Sequence, residues 1–463
     1  MRRPAVIAIA AALAAATGCG STRGPSPPYE HFRSRPDLKP PHIRILTPAH
    51  GTAPGYVFIA PKKNVAQAGP MIVDDLGRLV WFRPLNTRGV TDFRVQTYRG
   101  RPVLTWWRGR PLHGDGAGNY AIVGASYRTV ARVRPANGLV GDIHEFLITP
   151  RDTALMTIFH RVRRGGRVIF EGAVQEIDIA TGRVLFEWHS LGHVRLDESY
   201  ERPPKKQSLP YDYFHVNSID EDADGNLLVS ARNTHAVYKI DRRSGDILWR
   251  LGGKHSDFAM GPGTRFAWQH DARRRPDGTI TLFDNEAAPR VGPESRGLVL
   301  RLDMRQMRAT LVRSIAHRPR LLAATQGNLQ LLPDGHWFVG WGARPYFTEY
   351  DDTGRRVLFD ARFGFRDDSY RAYRFPWTGR PRGRPALAVV RRTAYASWNG
   401  ATEVARWQLV TPGAAGGFRP LLTVPKRGFE CALTVPAGAT AVAVRALARG
   451  GRVLATSRML EVR

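Results

Sequence analysis

Short runs of alternating apolar and polar residues, cut by glycines and acidic turns, fill most of the chain, and amphipathic helix patterns of useful length are absent. A period of two is the signature of half-buried β-strands. One phrase recurs: an acidic residue, a short turn, a glycine, then β-formers. It reads Asp75-Leu76-Gly77-Arg78-Leu79-Val80-Trp81 and returns at residues 178–186, 241–249 and 351–359. A second phrase interleaves with it: Asp224-Gly225-Asn226-Leu227-Leu228-Val229, Asp277-Gly278-Thr279-Ile280-Thr281-Leu282 and Asp334-Gly335-His336-Trp337-Phe338-Val339. Asp-Gly between β-forming runs is a hairpin signal. Two hairpin phrases per period of roughly fifty to seventy residues predict four-stranded propeller blades. Residues 46–376 therefore predict an all-β, six-bladed β-propeller, with seven blades as the alternative the same length admits.

Near Phe375-Pro376-Trp377 the pattern stops, and residues 379–385 form a linker rich in Gly, Pro and Arg. Short alternating strands follow, among them Ala394-Tyr395-Ala396-Ser397-Trp398 and Val404-Ala405-Arg406-Trp407-Gln408. This stretch, residues 385–463, resembles a fibronectin type III-like β-sandwich, with Trp398 and Trp407 as expected core. Cys431 alternates with apolar neighbours and reads as a buried structural thiol.

The start of the chain reads as a leader. Arg2-Arg3 precedes an apolar run from Pro4 to Ala16, too short to cross a bilayer. Ala16-Thr17-Gly18-Cys19 resembles a bacterial lipobox, so residues 1–18 are expected to be a lipoprotein signal peptide and Cys19 the lipidated residue. Residues 19–45, small, polar and proline-rich, read as a tether. The expectation is an exported, membrane-anchored protein, the alternative being ordinary secretion without lipid. Cys19 and Cys431 are the only cysteines, so an acylated Cys19 leaves no intramolecular disulfide and no cysteine metal site.

Charge changes the picture less than its size suggests. Lys and Arg number 69 against 40 acidic residues, giving +29. The arginines are scattered singly, the longest run being Arg273-Arg274-Arg275. A nucleic-acid binder gathers its cations in stripes or tails. A solvated basic surface is the favoured reading, with no nucleic-acid partner, and its field would steer anionic substrates.

Three of the fourteen histidines stand in equivalent places. His144, His215 and His270 each precede their hairpin turn by eight to ten residues. In a propeller such positions converge on the central channel. His215 and Asn217, two apart on a strand, are expected to share a face, and the return strand through Leu228 and Ser230 brings Arg232 beside the Tyr213–His215 end. Histidines, an asparagine and an arginine around one pocket suit a tetrahedral oxyanion, because arginine offers a planar fork of donors and neutral histidine can be a nucleophile. A histidine metal site and purely structural channel histidines are the alternatives. The interleaved arginine opposes a cation, so neither metal nor cofactor is expected. Tyr213, Phe266 and Trp268 are candidates to stack on an aromatic substrate, with blade packing as the equal alternative.

An ordered set of motifs now stands out: Asp142–Phe146, Phe214-His215-Val216-Asn217-Ser218-Ile219, Ser230-Ala231-Arg232-Asn233, Trp249-Arg250-Leu251-Gly252-Gly253, Gln269-His270-Asp271-Ala272-Arg273, Phe283-Asp284-Asn285, Gly327-Asn328-Leu329-Gln330 and Val339-Gly340-Trp341-Gly342. Over roughly residues 45–375 it resembles the bacterial arylsulfotransferase family. The resemblance implies a six-bladed propeller with its site in the channel. It implies sulfuryl transfer from an aryl sulfate to a phenol, independent of an adenosine-phosphosulfate donor and ping-pong through a sulfohistidine. It implies His270 as nucleophile, His215 and Arg232 holding the sulfuryl oxygens, Asn217 beside them, and His144 in oxyanion or proton work. The sequence departs from the family at Ala231-Arg232-Asn233, where a serine-arginine-histidine run is usual, and in carrying the sandwich. The reading from a different class is a non-catalytic, surface-anchored binding propeller. Three histidines in register with Arg232 speak against it. Lactone hydrolysis and quinone-dependent oxidation call for acidic metal or quinone sites that this sequence does not display.

Overall fold

The structure is a computed structural model that describes residues 29–87, 89–112, 115–364 and 366–462. The leader and Cys19 lie outside the described residues. Strands dominate, arranged as a β-propeller followed by a two-sheet sandwich. Four-stranded antiparallel units succeed one another, and their innermost strands are Gly89–Tyr98, Gly141–Ile148, Val216–Glu221, His270–Arg274, Asn328–Leu331 and Tyr373–Phe375. These inner strands pack against one another around the channel.

The two repeated phrases are two kinds of turn. The Asp-Gly phrases join an inner strand to the next one out. Gly225 lies at φ 80° and donates to Asp222 O at 2.9 Å, between Val216–Glu221 and Leu227–Ala231. A side chain there would be strained, which is why glycine recurs at this place. The longer phrase makes the outer turn, as where Gly182 at φ 74° closes Arg167–Asp178 onto Val184–His189.

The ring closes with strands distant in sequence. Tyr373–Phe375 pairs with Tyr56–Ile59, Tyr56 facing Phe375, so the end of the propeller completes its first sheet. Arg44–Thr47 also adds to the outer edge of Val357–Arg362. Two separate joins resist opening of the ring better than either alone.

Beyond Trp377 the sandwich pairs Ala386–Val390, Thr393–Ser397 and Glu430–Thr434 in one sheet. The other holds Phe418–Pro425, Arg406–Pro412, Ala441–Leu447 and Val453–Thr456. Trp407, Leu409, Leu433, Val442 and Val444 fill the space between them. Trp407 is fully buried, whereas Trp398 is only half-buried at the margin of that core. Cys431 is buried. The sandwich is bolted to the propeller: Asn399 exchanges hydrogen bonds with the Phe82 backbone at 3.0 and 2.8 Å. Tyr127 stacks on Trp81 at 4.8 Å, accepts from Trp377 Nε1 and donates to Gly400 O. Such an aromatic pair adds about 0.5–1.5 kcal/mol beyond its burial.

The channel is blocked by charge. Arg94, Arg273 and Arg371 meet Asp92, Glu145 and Asp271 in a buried network. Arg371 donates to Asp92 at 2.8 Å and to Glu145 and Asn217 O at 3.2 Å. Three cations face three carboxylates, so the low-dielectric interior holds no net charge there. Arg94, Asp271 and Arg273 line a cavity of about 680 Å3, separate from the one the histidines line.

Candidate active site

A cavity of about 780 Å3 is lined by His144, His215, Arg232, His270, Tyr370 and Lys62, among others. The three histidines come from three consecutive inner strands or the residue just before one. The rings of His144 and His215 stand 5.0 Å apart, edge to face. The hairpin inference for Arg232 holds: Arg232 N–H donates to His215 O at 2.9 Å, beside the Val216–Ala231 pair.

Each histidine has its Nδ1 engaged. His144 Nδ1 bonds Asp142 and His215 Nδ1 bonds Asp212. His270 Nδ1 faces Trp268 O at 3.1 Å and Asn285 Oδ1 at 2.7 Å. A backbone carbonyl only accepts, so this nitrogen carries the proton. Asn285 is oriented in turn, since its Nδ2 donates to Ala323 O and Gln326 O at 2.8 and 3.0 Å. The amide oxygen is therefore the atom turned toward His270. The lone pair falls on His270 Nε2, which accepts the Gln326 N–H at 3.2 Å. Burial is the main reason the His270 imidazole is pushed well below its usual range, and the Arg232 charge adds to it. His215 is lowered by burial as well, against the pull of Asp212. Both rings are neutral at neutral pH.

Arg232 is the site's exposed question. It is 9% accessible, and no carboxylate among the described residues pairs with it. Its guanidinium donates to Asn233 Oδ1 at 2.9 Å and to the Ala288 and Ala324 carbonyls at 3.1 and 3.3 Å, and its Nε has no partner. The Trp268 ring lies 4.5 Å behind it. Burial pulls its pKa down to about 10, so it stays charged at neutral pH. A desolvated cation beside neutral imidazoles is a site for an anion.

Three expected substrate contacts are placed elsewhere. Tyr213 is fully buried in the core between blades, its hydroxyl donating to Ser190 Oγ at 2.8 Å. Asn217 is also fully buried and braces the neighbouring inner strand by donating to Gln269 O at 2.6 Å. Trp268 backs Arg232 and donates to Pro289 O at 2.9 Å. The cause is backbone conformation. His215 and Trp268 lie at φ 56° and 58°, and bulges interrupt the pairing at Val216–Ser218 and His270–Arg273. Alternation carries no information across such kinks.

Other residues at the site escaped the sequence reading. Asp212 is positioned because Tyr211–Asp212 pairs in parallel with Ile169–Phe170 on an overlong hairpin. Tyr370 enters from the segment just before the closing strand, its ring 5.6 Å from His144 and 6.4 Å from His270. Its buried hydroxyl has no hydrogen-bond partner. Only Asp142, two residues from His144, carried a local signal.

Comparison with known proteins bears on these residues. No curated protein sequence matches the chain. A solved protein of unknown function from Bacteroides caccae is 15% identical, covering 69% of this chain and 98% of its own, with a TM-score of 0.43. A catalytically inactive virginiamycin B lyase from Staphylococcus aureus with quinupristin is 10% identical, covering 77% and 96%, with a TM-score of 0.36. The family model described as arylsulfotransferase (ASST) matches residues 94–364, which span every histidine, arginine and asparagine of the site just described. The chain belongs to the arylsulfotransferase family.

Proposed function

We propose that this arylsulfotransferase moves a sulfuryl group from an aryl sulfate to a phenolic acceptor through a sulfohistidine at His270. The observation that carries this reading is the fixed tautomer of His270, with Nδ1–H held by Trp268 O and Asn285 Oδ1 and the Nε2 lone pair near an unpaired Arg232. Nε2 attacks sulfur, the N–S bond forms, and the S–O ester bond breaks with its electron pair leaving on the phenolate. In the return step a phenol oxygen attacks the same sulfur, the N–S bond breaks, and Nε2 recovers its lone pair. The positive charge that grows on the sulfated ring is eased by the two acceptors at Nδ1.

Sulfuryl transfer, like phosphoryl transfer, has a loose transition state with charge on peripheral oxygens and leaving group, so positioning and electrostatics dominate. Arg232 is a donor for the sulfuryl oxygens, joined by the Gln326 N–H once the approaching sulfur displaces it from Nε2. The Nε2 atoms of His144 and His215, whose Nδ1 protons are held by carboxylates, shuttle the phenol proton. No adenosine-phosphosulfate donor or metal enters the scheme. Wild type quenched with p-nitrophenyl sulfate alone is expected to gain about 80 Da, one SO3 group, on the peptide bearing His270. Mass on a peptide bearing His144 or His215 instead would overturn the assignment. Absence of turnover across a broad donor panel would favour the binding-propeller reading. From the leader residues we also propose export and lipid anchoring at Cys19. Release of Cys19→Ala from the membrane fraction is the expected result, and unchanged membrane association would refute it.

A further inference from the structure

Away from the cavity, three side chains on one face of a blade come together without an arginine or lysine among them. His160 lies on Thr153–Arg164, Glu171 on Arg167–Asp178 and His189 on Val184–His189. These three strands are neighbours, with His160 directly opposite Glu171 and His189 opposite Ala173. His160 Nδ1 and His189 Nδ1 lie 2.8 and 2.9 Å from the same atom, Glu171 Oε1. One ligand atom from each residue falls within 4.8 Å of the others.

The surroundings also suit a metal ion. The Glu171 side chain is only 5% accessible, yet among the described residues its ion-pair partners are these two imidazoles alone. A buried carboxylate needs something positive beside it; His189, pushed up to about 9 by Glu171 and Glu187, supplies that charge as an imidazolium, and an ion bound here takes the place of its proton. His189 has its other nitrogen, Nε2, 2.9 Å from Glu187 Oε1. Glu187 is held in turn by Gln175 Nε2 at 2.7 Å and Asn137 Nδ2 at 2.8 Å through its other oxygen. A ligating histidine that gives its second N–H to an oriented carboxylate is the usual support of a metal-bound imidazole. The imidazoles are 41% and 33% accessible, which leaves a way in for an ion and a position for water.

We infer that His160, Glu171 and His189 form a binding site for a divalent transition cation of the zinc type, stapling three strands of one blade. Two imidazoles and one carboxylate select such a cation over calcium or magnesium, which prefer all-oxygen shells. Zinc bonds of about 2.0–2.2 Å ask each ligand to shift by only a few tenths of an ångström. The cluster of Asp334, His336 and Glu349 shows the contrast. There Arg374 Nε is ion-paired with Glu349 Oε2 at 2.6 Å and Ala53 N–H donates to Oε1 at 2.7 Å, so a fixed cation holds the carboxylate.

The test is calorimetric titration of the chelator-stripped full chain with zinc chloride alone, with the melting temperature followed in parallel. One ion per chain and a rise in melting temperature are expected. His160→Ala and His189→Ala should each weaken this binding at least about 10-fold, and Glu187→Gln about 10-fold. All three should keep wild-type release of nitrophenol without added metal. Should either histidine variant unfold, His160→Gln, at a half-exposed position, replaces it. No stoichiometric zinc binding by wild type would reduce the cluster to an imidazole–carboxylate pair and overturn the inference. Undiminished binding in both histidine variants would place the ion elsewhere and overturn it equally.

Discussion

The channel holds two kinds of arginine, and the difference between them separates holding the fold from doing chemistry. Arg371 is wholly buried and meets Asp92 through Nη1 and Glu145 through Nη2. Arg94 and Arg273 share the same carboxylates. Charge is balanced there, so that end of the channel has no appetite for another anion. Arg232 is nearly as buried but rests on carbonyl oxygens and an aromatic face. Asp212 and Glu201 bear on it only through space, and among the described residues no carboxylate forms a salt bridge with it. Identical side chains thus serve opposite ends, and the deciding feature is whether a carboxylate arrives from a neighbouring inner strand.

The largest effect is expected from removing the nucleophile that Arg232 serves. His270→Ala should lower nitrophenol release from p-nitrophenyl sulfate by about 10⁴-fold or more, even in a single turnover, because both half-reactions use Nε2. Near-normal turnover in this variant would remove the mechanism. Next come the two arginines themselves. Arg232→Ala should fold normally and lose about 10²–10³-fold in rate, the usual cost of one oxyanion donor. Arg371→Ala should instead fail in stability, by about 3–5 kcal/mol in thermal or denaturant unfolding, since it strands buried carboxylates. A stable but slow Arg371→Ala, or an unfolded Arg232→Ala, would show that the two arginines do not divide into structural and catalytic roles.

A smaller effect tests the tautomer. Asn285→Ala leaves Trp268 O as the sole partner of His270 Nδ1 and should slow the donor half-reaction by about 10–100-fold, with substrate binding little changed. The mildest test is pH. Burial and Arg232 hold His270 below the ordinary imidazole range, so acid must go further than usual to protonate Nε2. Single-turnover rates should stay level as pH falls through 6.5 and decline only below it. A decline centred at or above 6.5 would mean that the nucleophile is not this desolvated ring.

Much of the architecture was legible because its causes are local. Asp-Gly turns and the longer acidic-glycine turns are decided by a few adjacent residues, so Gly182 and Gly225 announce their places wherever the chain ends up. Alternation likewise marked the sandwich and Trp407, whose burial needs only a strand with one covered face. Hairpin offset was enough to bring His144, His215 and His270 to one cavity with Arg232.

Where reading by alternation failed, the backbone departs from a regular strand. Tyr213 and His215 are two apart, yet the positive φ of His215 sends one into the core and the other to the cavity. By itself, then, the sequence determined the strands, their turns and the recurrence that sets histidines around a channel, because these follow from short-range geometry. Tertiary structure alone decided which nitrogen of His270 holds the proton and that Tyr370 faces two of the histidines. It alone decided that Arg371 is neutralised while Arg232 is not. Asn285 reaches His270 across its own hairpin, but Gln326 meets His270 across more than fifty residues, and Asp92 and Glu145 meet Arg371 across more than two hundred, contacts that no local pattern encodes.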